Sequence, residues 1–232
     1  MQRYLSDKEK RNLFAEAYRK IEAAAEALTE TEAQVFSDID ESERKAFLTA
    51  WRRMNDASRS FLFRELRAAF ERDELLDYTP LIRAGLDDPE ADIRMGALSL
   101  IPAEVSKEFV EPLIELLQDR SERIRLGAVR SLQRYIGERV LGSQPRHRRV
   151  EAAIKALEGC LPTAGGAFAD TLMEALATAD SPCAEAMISR AIHSSNPESV
   201  AAALRAVRTT LDDRWAENIL SLLEERDPQV LI

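Results

Sequence analysis

Pro80-Leu81-Ile82-Arg83-Ala84-Gly85-Leu86-Asp87-Asp88-Pro89-Glu90-Ala91-Asp92-Ile93-Arg94-Met95-Gly96-Ala97-Leu98 is the stretch that decides the fold, because it returns 31 positions later. Leu117, Asp119, Ile124, Arg125, Gly127, Ala128 and Val129 stand where Leu86, Asp88, Ile93, Arg94, Gly96, Ala97 and Leu98 stood. Self-similarity at this kind of period marks an array of one supersecondary unit. Each copy reads as two helices joined by a tight turn that begins at aspartate. The carboxylate is placed to accept from the free N–H groups of the second helix's first turn, and proline takes the first helical position, where its missing donor does no harm. Ser181-Pro182, Asn196-Pro197 and Asp227-Pro228 repeat the device. The first apolar residues of the second helices, Ile93, Ile124, Val200 and Val230, lie 31, 76 and 30 positions apart. The wide interval holds a diverged copy, Arg146 to Gly159 followed by Ala167 to Thr178.

Composition agrees. Of 232 residues 34 are alanine and 28 leucine against 9 valine, with only 8 glycine and 9 proline, so helix formers crowd out strand and turn formers and an all-α protein is expected. The formal net charge is -9, from 26 arginines and 6 lysines against 41 acids, which argues against binding nucleic acid independently of its sequence. No stretch approaches the ~18 apolar residues of a membrane span, and the first residues lack the order of a signal peptide, so a cytoplasmic protein is expected. Cys160 and Cys183 stand far apart and without ligand spacing; both read as small apolar core residues.

Proline eight residues before aspartate, an aliphatic residue five after it and arginine six after it resembles the HEAT-repeat signature, met by Pro80, Asp88, Ile93 and Arg94. The next copy keeps Asp119, Ile124 and Arg125 but has Glu111 at the proline place. Trp51, Asp77-Tyr78, Asp88-Pro89 and Arg214-Trp215 are similar, more loosely, to bacterial HEAT-repeat proteins of the phycobilisome-lyase type, over roughly Ser42 to the end. The resemblance implies a right-handed α-α superhelix, an armadillo-like helical solenoid, and carries no catalytic residues.

Two regions follow: an N-terminal helical segment, 1–41, packed on the array, and the array itself, 42–232, ending in an incomplete repeat. Ser6 to Leu28 reads as one helix opened by the capping pair Ser6 and Glu9, with Phe14, Ala17, Ile21, Ala24 and Leu28 as its packed stripe. The acids Asp38, Asp40 and Glu41 suit the positive end of the following helix better than a cation. At the other end Trp215, Ile219, Leu222 and Leu223 form a stripe with too few neighbours, so a homodimer or a longer chain through the C-terminal helix is expected.

Chemistry is sparse. His147 and His193 have no ligand partners at the required spacing, no nucleophile elbow or glycine-rich phosphate loop occurs, and neither catalytic residues nor cofactor nor metal is expected. Two features ask for more than a helical scaffold. Gly96 and Gly127 sit mid-helix, where each costs about 1 kcal/mol relative to alanine, so something approaches closely, a neighbouring helix or a bound backbone. Arg123, Arg130 and Arg134 share one helical stripe with Gly127, and Arg139, Arg146, Arg148 and Arg149 follow; the plain reading is a solvated face, the sharper one a site for a protein bearing an acidic segment. The expected function is therefore a non-catalytic scaffold or adaptor binding protein through its concave face. Its alternatives are a nucleic-acid binder or glycosylase-like enzyme on a HEAT-like fold, and an accessory subunit of a chromophore or cofactor lyase, implied by the resemblance alone.

Overall fold

A computed structural model describes residues 7–24, 26–37, 39–140, 147–210, 215–217 and 219–220. Among them every regular element is helical and no strand occurs, as the excess of alanine and leucine requires. No helix of the described residues is long and apolar enough to cross a membrane. The chain divides into two compact units, Met1–Pro102 and Ala103–Ile232.

The first unit holds α1 (Asp7–Ala23), α2 (Glu30–Gln34), α3 (Glu41–Trp51), α4 (Asp56–Phe70), α5 (Thr79–Leu86) and α6 (Ala91–Ser99). Helix α1 is shorter than its apolar stripe suggests. Ala24 takes a left-handed conformation at φ 47°, which breaks the helix, and Leu28 reaches the core from the connector instead. There its backbone N–H donates to Glu65 Oε2 of α4 at 3.1 Å. The Ser6 half of the expected cap lies outside the described residues. The connector is better organised than its sequence implies, since Thr29 and Glu32 form a reciprocal capping box at α2. Asp40 and Glu43 do the same at α3, so Asp40 is engaged as a helix cap. The core gathers around aromatic rings: Trp51 packs on Phe47 and, edge to face at 5.6 Å, on Phe63.

Phe63 explains Gly96 and Gly85. A Cβ on Gly96 would lie 2.9 Å from Phe63 Cβ, and one on Gly85 would run into the Phe63 ring and come within 2.8 Å of Ala97 Cβ. The close approach at Gly96 is therefore the preceding second helix, α4, against α6. A hydrogen atom is all that fits there.

The second unit holds α7 (Val110–Leu116), α8 (Glu122–Val140), α9 (Arg148–Gly159), α10 (Gly166–Thr178), α11 (Pro182–Ile192) and α12 (Pro197–Thr210). The wide interval in the repeat contains α9 and α10, a helix pair. Helices α8, α10 and α12 lie side by side, α7 packs on α8 and α9, and α11 packs on α10 and α12. Helix α12 packs on both α10 and α11, and its Ala202, Ala203 and Ala206 are fully buried, small side chains that let helices approach closely. Cys160 is buried in this core and Cys183 is half-buried; neither is in a disulfide. Trp215, expected to lack neighbours, is buried, lining a small cavity with Ala177, Ala184 and Ile188, while Ile219 is half-buried. Leu222, Leu223 and Val230 lie outside the described residues.

The turns obey one rule that the sequence only half announces. Side-chain oxygens of Asp88, Asp119, Ser181 and Asn196 accept from the N–H two residues on, at 2.9, 2.7, 3.2 and 3.0 Å. At Ser181 and Asn196 the next residue, proline, opens the helix, as expected. At Asp88 it does not: α6 begins at Ala91, so Pro89 precedes the helix and Asp88 stabilises the turn rather than the helix's first residues. Asp227-Pro228 lies outside the described residues.

Candidate functional site

The long helix α8 carries Arg123, Arg130 and Arg134 on one face at 7- and 4-residue spacing, and all three are exposed. A helix repeats its face at these intervals, so the apolar residues interleaved with and following them, Ile124, Ala128, Leu132 and Tyr135, turn inward and hold the row in place. Arg130 of this row lines a groove of about 520 Å³ that crosses α8, α10 and α12. Arg130 and Gln133 form the α8 wall, Asp170, Thr171 and Glu174 the floor on α10, and Glu198 and Arg205 the α12 wall. Two small residues, Ala167 and Ala201, complete it.

Its charges are of both signs. Arg205 binds Glu174 through Nε and Nη2, both at 2.9 Å, and this pair neutralises the middle of the groove. Burial raises the Asp170 carboxyl above its ordinary range, and the Ser199 hydroxyl and Arg205 only partly offset this, since Glu174 and Glu198 push the same way as burial. Arg130 and Glu198 make no side-chain hydrogen bond or ion pair among the described residues. Gln133 is committed to the scaffold, donating to the Thr178 hydroxyl at 3.0 Å.

The remaining arginines divide. Arg139 is held at home, its guanidinium 3.9 Å from the Tyr135 ring centroid, donating to the Tyr135 carbonyl at 3.0 Å and to Val105 at 3.3 Å. Arg149 pairs with Glu111 of α7 at 3.2 Å. Arg148 is exposed, and Arg146 lies outside the described residues. The structure thus joins Arg130 to a groove and places Arg123 and Arg134 on the same helix face, while Arg139 and Arg149 tie α8 and α9 to the rest of the unit. Burial pulls the Arg134 guanidinium below its ordinary value, and its Nη2 reaches Ser131 Oγ at 3.3 Å.

No protein-family model matches this chain, and no curated protein does. The structural roles that can be assigned come from its own geometry. Arg94 Nη1 donates to the carbonyls of Asp88 and Pro89, each at 2.7 Å, and Arg125 Nη1 to those of Asp119 and Arg120 at 2.8 and 3.3 Å. The aspartate-to-arginine spacing of six is thus a clamp: the guanidinium satisfies carbonyls that the turn would otherwise leave open. Arg125 also lies over the Phe168 ring of α10, 5.2 Å from its centroid.

His147, which the sequence presents as part of a basic run, is the N-cap of α9, its Nδ1 accepting from the Arg149 N–H at 3.3 Å. His193 ends α11 and lines a second cavity of about 490 Å³ with Met173, Met187 and Arg190. The acidic side of the groove escaped the sequence reading. Asp170, Glu174 and Glu198 belong to different helices, and only the lateral register of α10 and α12 brings them together.

Proposed function

We propose that this protein is a non-catalytic scaffold of HEAT-like, right-handed superhelical type that binds a segment of another protein along the face formed by α8, α10 and α12. The observation that carries the reading is the groove across three adjacent second helices, with exposed Arg130 of the α8 arginine row in its wall. Helices stacked laterally offer a continuous, rigid concavity, the surface on which repeat proteins hold extended partners. The clamped turns support it too, because the spacing of Asp88 to Arg94 and of Asp119 to Arg125 gives successive units the same turn geometry.

A photo-reactive residue at Ala201, inside the groove, tests this in extract of the source cell. A discrete protein adduct should form there, absent when the same residue replaces exposed Glu151 on α9. Equal labelling at both positions, or none at Ala201, would end the proposal. A nucleic-acid adduct at Ala201 would instead favour the nucleic-acid alternative.

A further inference from the structure

Two charges of opposite sign, without ion-pair partners among the described residues, face one concavity from opposite walls: Arg130 on α8 and Glu198 on α12. Between them the floor charges are engaged: Glu174 is matched by Arg205 at 2.9 Å, and the Asp170 carboxylate lies beside the Ser199 hydroxyl and within the field of Arg205. Helix α10 keeps the two charges apart, so neither neutralises the other. A segment of uniform charge satisfies one wall and opposes the other, and like-charge juxtaposition is a strong discriminator at interfaces.

We infer that the groove selects a bipolar protein segment, lying across the helices with a carboxylate-bearing end at Arg130 and a lysine- or arginine-bearing end at Glu198. Resting on the segment-binding reading, this replaces the acidic partner that the arginine row alone suggests. Ala167 and Ala201 leave room for the segment's backbone to approach the floor between its two anchors. The other exposed arginines of the α8 row, Arg123 and Arg134, lie on the same helix as Arg130 and favour an acidic end longer than one residue.

The test uses the full chain and three synthetic peptides of equal length: oligo-glutamate, oligo-lysine, and one with a glutamate half and a lysine half. The half-and-half peptide should bind tightest. Arg130→Glu should weaken it about tenfold and strengthen oligo-lysine; Glu198→Lys should weaken it similarly and strengthen oligo-glutamate. Both side chains are exposed, so the thermal midpoint should not move. A reversal that does move it is replaced by Arg130→Gln or Glu198→Gln, which should weaken the half-and-half peptide without strengthening either of the others. Oligo-glutamate binding the wild type as tightly as the bipolar peptide, with Glu198→Lys without effect, overturns the inference and leaves segment binding standing. So does the Ala201 adduct forming while no peptide binds. Failure of both the adduct and all three peptides removes the segment-binding reading as well.

Discussion

Asp88 shows how one side chain serves two demands. Its Oδ1 holds the turn through the Glu90 N–H, and its Oδ2 lies 2.8 Å from Arg59 Nη1 with the aspartate side chain fully buried and the arginine nearly so. Arg59 in turn sits over Trp51, 5.5 Å from the ring centroid. A side-chain oxygen that holds a turn or cap is worth about 0.5 to 2 kcal/mol, and Asp88→Ala also strips the nearly buried Arg59 of its buried partner, leaving it the exposed Asp56 carboxylate at 2.5 Å, so the expected cost lies at the upper end, about 2 to 3 kcal/mol. Chemical denaturation checks it; a loss well below about 2 kcal/mol shows that Asp56 alone compensates Arg59.

Tyr18 gives the opposite case. Its hydroxyl is buried with no hydrogen-bond partner among the described residues, and desolvation pushes its pKa up to about 12. Tyr18→Phe keeps the ring among Phe14 and Phe36 and removes the unsatisfied group, so it should stabilise the protein by about 1 kcal/mol. The sign with pH is fixed. A tyrosine whose folded pKa is raised supplies stability that is fully present below its unfolded value and is lost as pH rises from about 10 toward 12. Tyr18→Phe should therefore flatten the alkaline limb of the stability profile, and an unchanged limb assigns that titration elsewhere.

At the scale of helices the governing contact is Phe63 between Gly85 and Gly96. Alanine is the better helix former by about 1 kcal/mol, yet a methyl at Gly85 overlaps the ring of a fully buried phenylalanine and the Cβ of Ala97. Overpacking of this kind costs about 1 to 3 kcal/mol, so Gly85→Ala should be net destabilising, and Phe63→Leu, though harmful alone, should cost less in the Gly85→Ala background than in wild type. Additive losses would mean that the two sites do not share the strain. This contact also marks the limit of what the chain discloses by itself. Turn residues, caps and helix pairing act over a few positions and are readable, which is why α9 and α10 could be located inside a diverged interval. That something presses on Gly96 is readable as well, from the cost of a glycine in mid-helix. That it is Phe63, and that Asp88 faces Arg59, depends on how α4 meets α6, a relation no local pattern encodes. The groove followed the same division: its arginine wall lies on one helix and could be read, whereas its acidic residues meet only through the packing of α10 on α12.

For the whole molecule the balance of charge sets what can approach. A chain of net charge -9 repels polyanions at long range, while Arg123, Arg130 and Arg134 offer a local attraction on α8. Long-range repulsion is screened by salt within about 10 Å at 0.1 M, so a partner drawn only by these arginines has to carry its own compensating charge near them. Reversing all three to glutamate should therefore abolish the Ala201 adduct and lower partner affinity most at low ionic strength, with no loss of thermal stability, since the three side chains are exposed. Duplex DNA separates the readings further. Wild-type binding with a steep salt slope, lost in the triple variant, would shift the protein from scaffold to nucleic-acid binder, because each neutralised phosphate releases counterions and steepens that slope. The expected result is a shallow slope for the protein partner and no measurable DNA complex, as a groove carrying Glu198 and Asp170 beside its arginines presents carboxylates wherever a phosphate backbone would have to continue.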